Sequence, residues 1–141
     1  MAELQKICKK HDICYLIDEV QTGGGPTGKI WAHDHFELPE GPDIVTFSKK
    51  MLTGGIYYKK DLRPKQPFRI FNTWCGDPGK VILLDAVLKT IQKDNLLQLT
   101  TEAGKALQDG LKSLEKKFPQ YLNSARGLGT FCAINCDTGA R

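Results

Sequence analysis

The sequence has no apolar run approaching the roughly 20 residues needed to cross a bilayer. Its amino end, Met1-Ala2-Glu3-Leu4-Gln5-Lys6, does not read as a secretory or organelle signal. No membrane partner is expected. Cys-x-x-Cys pairs are also absent. Cys8, Cys14, Cys75, Cys132 and Cys136 form an odd, unpatterned set, which suits reduced, mostly buried thiols in an intracellular compartment better than a disulfide framework. The net charge is only +4 and the lysines are spread along the chain, so no basic patch marks a nucleic-acid partner. Histidine is scarce. His33-Asp34-His35 would place two imidazoles on one face of a strand, but no third or fourth ligand stands at a recognisable spacing, and no metal is expected. Internal repeats and low-complexity segments are lacking. What remains is the composition of an ordinary globular protein, 40% hydrophobic and 26% charged, about one domain in length.

The pattern along the chain alternates. Leu4, Ile7 and Cys8 fall at helical spacing among lysines, so residues 2–10 read as the end of an amphipathic helix. Ile13 to Val20 reads as a buried strand, Gly23-Gly24-Gly25-Pro26-Thr27-Gly28 as a loop, Asp43 to Phe47 as a second buried strand and Ile56-Tyr57-Tyr58 as a short third. Asp77-Pro78 places a cap residue before a proline at the first helical position. It opens a helix with Val81, Leu84, Leu88 and Ile91 on one face. A second helix carries Leu107, Leu111, Leu114 and Phe118 and stops at Pro119, and Gly127-Leu128-Gly129 leads into an apolar strand over 130–136. Helices alternating with apolar strands predict an α/β architecture with a largely parallel sheet. The break at Asp94-Asn95 divides it into 1–95 and 96–141.

Two of these strands end in chemistry. Asp18 closes the first, and Lys49-Lys50 follows the second. The carboxyl ends of neighbouring strands in an α/β sheet open onto the crevice where ligands bind, so an acid and an amine delivered there predict a cofactor site. Gly23-x-x-x-x-Gly28-Lys29 offers a different reading, a phosphate-binding P-loop. That motif needs a hydroxyl after the lysine for magnesium and position 30 is isoleucine, while Asp18 and Glu19 would set two negative charges beside a polyphosphate.

The run Ile17-Asp18-Glu19-Val20-Gln21-Thr22-Gly23-Gly24-Gly25-Pro26-Thr27-Gly28, joined to Asp43-Ile44-Val45-Thr46-Phe47-Ser48-Lys49, resembles the core signature of the class III, pyridoxal-phosphate-dependent aminotransferases. Ser48-Lys49-Lys50-Met51-Leu52-Thr53-Gly54-Gly55 and Arg69-Ile70-Phe71-Asn72-Thr73-Trp74-Cys75-Gly76-Asp77-Pro78 resemble, within that family, the branch that moves the amino group of 4-aminobutyrate to 2-oxoglutarate.

That resemblance implies a partial fold type I architecture: 1–95 as the second half of a cofactor domain and 96–141 as the start of a carboxyl-terminal domain. It implies pyridoxal 5'-phosphate as cofactor and a lysine that binds the cofactor's aldehyde, a role that falls to Lys49 by its distance from Asp43. Lys50 is the rival if the count runs backward from Gly54-Gly55, and since successive strand side chains point to opposite faces, only one amine reaches the ring. By the same resemblance Asp18 partners the pyridine nitrogen, Gln21 lies near the ring hydroxyl, and Thr73 reaches the phosphate of the neighbouring subunit's cofactor in a homodimer. Pro26 departs from the arginine common in the wider class. The family's main phosphate loop, stacking aromatic ring and substrate-binding arginines are expected outside these 141 residues. The implied activity is transamination of 4-aminobutyrate with 2-oxoglutarate, giving succinate semialdehyde and glutamate in the mitochondrial matrix. A non-catalytic truncated remnant of the family is the alternative.

Overall fold

The computed structural model describes residues 1–71, 73 and 76–137. Cys75, and the Asn72 and Trp74 positions of the Arg69-to-Pro78 motif, lie outside the described residues. The first element is helix α1, Ala2–Lys10. Glu3 in its first turn and Lys9 and Lys10 in its last complement the helix dipole. Its buried residue is Gln5, whereas Leu4 and Ile7 of the expected apolar face stay half exposed.

Strands β1 (Leu16–Asp18), β2 (Ile44–Phe47) and β3 (Gly55–Tyr58) form one sheet in that order. β1 runs parallel to β2, pairing Asp18 with Thr46, and β3 runs antiparallel to β2, pairing Phe47 with Gly55. The sheet is therefore mixed rather than largely parallel. The physical reason is the short connection after Phe47: it turns the chain straight back onto β2, which permits only antiparallel pairing, whereas the longer excursion from Asp18 to Ile44 allows a parallel return. The strand expected over Ile13 to Val20 is also shorter and barer than its composition suggests. Asp43 accepts the Tyr15 N–H at 2.7 Å in place of a ladder partner, and Leu16 lies on an uncovered sheet edge.

Among the described residues, Tyr15, Ala32, Val45 and Met51 are the buried apolar side chains. Beside them Trp31, Phe47 and Tyr57 pack ring against ring, with centroids 5.1 to 6.2 Å apart.

Helix α2, Pro78–Lys93, begins as its sequence requires: Asp77 Oδ1 accepts the Gly79 N–H at 2.8 Å and proline takes the first turn. Asn95 then adopts the left-handed conformation, φ 50°, and helix α3 runs from Leu96 to Lys117. The hairpin of β4 (Leu122–Leu128) and β5 (Phe131–Cys136) packs on α3. Gly104 of α3 is buried against the backbone of Gly129, where a Cβ would overlap it. The turn at 129–130 is pinned to the glycine loop by the Thr130 N–H, which donates to the Pro26 carbonyl at 2.9 Å. Of the four described thiols, Cys14 and Cys136 are exposed and Cys8 and Cys132 half-buried, so the expectation of buried cysteines fails for them.

Candidate functional site

At the carboxyl end of β1 the chain alternates sides. Asp18 is exposed, and the next residue, Glu19, is almost wholly buried at 1% accessibility. Asp18 Oδ1 accepts the Val20 N–H at 2.9 Å and the Thr46 hydroxyl at 2.7 Å, and these two bonds hold its carboxyl below the usual carboxylate range. Its second oxygen, Oδ2, has no partner among the described residues. The result is an exposed carboxylate fixed through one oxygen.

At the end of β2 the chain enters a single 3-10 turn, Lys49–Met51. Lys49 opens it with φ 52°, in the left-handed region that a side chain adopts at a cost of order 1 kcal/mol or more. Its ammonium has no partner among the described residues. Lys50 differs. Its Nζ donates to the Gln21 carbonyl at 2.7 Å, and its stem lies along the glycine loop. Ser48, Lys49, Ile70, Gly76 and Asp77 line one open hollow beside the turn that follows β2. Thr73 itself is exposed in a turn. Asp18, Gln21 and Lys49 thus collect at one end of a parallel strand pair, with Thr73 on a neighbouring segment.

Glu19 is the residue that sequence reasoning missed. Its Oε2 accepts from the Thr22 hydroxyl at 2.5 Å and the Ala32 N–H at 3.1 Å, and its Oε1 accepts from the His33 N–H at 2.8 Å and pairs with His33 Nδ1 at 2.9 Å. Burial pushes the carboxyl pKa up, and the bonds from Thr22, His33 and Ala32 outweigh burial and leave it below the usual range. The one available signal was strand alternation, which turns Glu19 away from the face that Asp18 presents. The partners that explain it lie beyond any local pattern.

The histidines take structural posts. His33 and His35 lie on a short 3-10 turn, Ala32–His35, not on a strand, with His33 bonded to Glu19 and His35 Nε2 to Thr27. No group of three metal-ligating side chains occurs among the described residues. The P-loop reading lacks its helix: after Gly28 the chain continues in bends, and Lys29 Nζ donates to the Asp34 carbonyl at 2.8 Å.

This donor set suits a cofactor with a protonated ring nitrogen and an aldehyde: a fixed carboxylate at the end of β1 and an exposed lysine in the turn that follows β2. The comparisons agree. Over 133 residues the chain is 50% identical to mitochondrial 4-aminobutyrate aminotransferase of Homo sapiens, covering 94% of this chain and 27% of that protein. Lysine aminotransferase from M. tuberculosis, solved in the internal aldimine form, superposes with a TM-score of 0.86 at 30% identity, over 99% of this chain and 33% of the other. The fold recurs, at 24% identity and a TM-score of 0.83, in taurine:2-oxoglutarate aminotransferase from Bifidobacterium kashiwanohense, solved with PLP and glutamate, over 94% of this chain and 31% of that one. The chain therefore spans about a quarter to a third of the length of these relatives. The family description "Aminotransferase class-III" matches residues 1–141, its members are pyridoxal-phosphate dependent, and the chain belongs to that family.

Proposed function

We propose that these residues form the acid-and-amine side of the cofactor site in a pyridoxal-phosphate-dependent aminotransferase that takes 4-aminobutyrate and 2-oxoglutarate to succinate semialdehyde and glutamate. The observation that carries this reading is the pairing of Asp18 and Lys49 at the carboxyl ends of adjacent parallel strands, in a chain half identical to an enzyme of that name. When bound, pyridoxal phosphate supplies an aldehyde for amino-group exchange and a cationic ring that withdraws electrons from the substrate carbon.

The chain's own residues do the rest. Asp18 Oδ2 keeps the ring nitrogen protonated through a charge-assisted bond. The Gln21 amide would donate to the ring hydroxyl and help orient the ring. With the cofactor bound, Lys49 Nζ would hold its aldehyde end and would serve as the general base toward the proton on the amine-bearing carbon. Thr73 reaches the phosphate held by a second subunit, which makes the active species a homodimer. Residues 1–95 belong to the cofactor domain and 96–141 to the domain that follows it. The relatives' naming supports a mitochondrial location.

The test is a coupled assay for succinate semialdehyde in the full-length protein, with and without Lys49→Ala. Turnover of 4-aminobutyrate that the substitution abolishes supports the reading. Turnover that survives it rejects Lys49 as the base.

A further inference from the structure

With Lys49 taken as the reacting amine, Lys50 has no chemical role, yet it is the better held of the two. Its ammonium makes a charge-assisted bond of 2.7 Å to the Gln21 carbonyl. The approach depends on Gly24, which sits at φ +86° and where a Cβ would stand 3.2 Å from the Lys50 Cβ. The far side of the same loop is anchored by Glu19. Its carbonyl accepts the Gly23 N–H at 2.8 Å, and its buried carboxylate ties Thr22 to Ala32 and His33. Gln21 therefore sits between two fixed points. Lys50 is also the next residue after Lys49, whose left-handed φ persists only if its surroundings hold it.

We propose that Lys50 is a positioning residue: a strut from the 3-10 turn to the Gln21 carbonyl that keeps the Gln21 amide and the Lys49 amine in register across the crevice, with Glu19 anchoring the loop it braces. The proposal rests on the reading of Lys49 and Gln21 as cofactor-facing residues. A merely solvated lysine would contribute charge to the crevice but would not fix the loop.

The test uses the full-length protein with Lys50→Met, which keeps the stem and loses the donor, and Lys50→Arg, which restores a cationic donor. In cofactor-free protein, amide exchange at residues 21–24 should quicken about tenfold in Lys50→Met, the consequence of one lost charge-assisted bond. In loaded protein, the pH at which the cofactor's visible absorption titrates should move by about half a unit or more. On the same grounds kcat should fall about tenfold, while KM for 4-aminobutyrate stays within about twofold. Lys50→Arg should return exchange and titration most of the way. Unchanged exchange and titration in Lys50→Met, or no recovery in Lys50→Arg, would overturn the strut and leave Lys49 in place. Loss of the absorption band in Lys50→Met together with its retention in Lys49→Met would overturn the site reading itself, and the strut with it.

Discussion

At the scale of single residues, what matters is which group is held and which is left free. Asp18 is held through one oxygen and free through the other. Asp18→Asn in the full-length protein keeps the size and loses the charge, so proton transfer should slow by about 30- to 1,000-fold, a barrier increase of roughly 2 to 4 kcal/mol. Single-turnover rates measure it, and cofactor affinity should weaken less. Glu19 carries a pH dependence. Its native pKa is depressed, so the folded state binds fewer protons than the unfolded chain near the carboxylate pKa. Its stabilising contribution is complete above the unfolded value near about 4.3 and is lost as pH falls through the native one. Asp43, depressed by the Lys59 ammonium and the Tyr15 N–H, adds in the same direction. Urea unfolding from neutral pH downward should therefore show stability falling below about pH 5, and Glu19→Gln should lower the plateau and flatten that fall. A plateau unchanged by the substitution would mean the buried knot contributes nothing. Strand ends and family spacing single out Asp18, Gln21 and Lys49 in the sequence, and the structure sets them near the same end of the β1–β2 pair. Glu19 was not legible there, because its meaning lies in donors from Ala32 and His33 that only folding brings back to it.

Among the elements, the helices were the easiest to foresee. α2 announces itself through Asp77-Pro78 and starts where that pair puts it, whereas the leucine spacing of α3 marks its end before Pro119 but not its start at Leu96, ahead of Leu107. β4 was invisible. Leu-Asn-Ser-Ala-Arg-Gly-Leu has neither alternation nor β-branched residues, and it is a strand only because β5 pairs with it, with a register shift between Asn123 and Arg126. The first three strands were readable as strands, but the direction of β3 was not. Two glycines of α3 separate packing from propensity. Gly104→Ala should destabilise by about 1 to 3 kcal/mol, because its methyl would displace the Gly129 backbone and loosen the turn bonded to Pro26. Gly110 has open space around it, and Gly110→Ala should stabilise by about 0.5 to 1 kcal/mol through helix propensity. Chemical denaturation of the two variants side by side decides it: opposite signs support the close approach, whereas two stabilising substitutions would contradict it.

Across the whole molecule, the surface is too large for the mass. The chain exposes 10200 Å², whereas a monomeric globular protein of 15.7 kDa exposes about 7,300 Å². The excess is apolar where it is easiest to see: Phe68, Phe71 and Ile82 are each at least 69% exposed, and β1 and β3 present open sheet edges. Such a surface associates. The 141-residue chain by itself should elute in size-exclusion chromatography as an oligomer or aggregate, and its turnover of 4-aminobutyrate should not rise above that of free cofactor. A monodisperse monomer with real turnover would mean the site is more self-contained than its geometry supports. The central claim is narrower, that Lys49 and not Lys50 is the amine that takes the cofactor. Borohydride reduction of the loaded full-length protein makes the attachment permanent, and peptide mapping then reads its position. The account predicts a single labelled residue, Lys49; a label on Lys50, or on neither lysine, would contradict it.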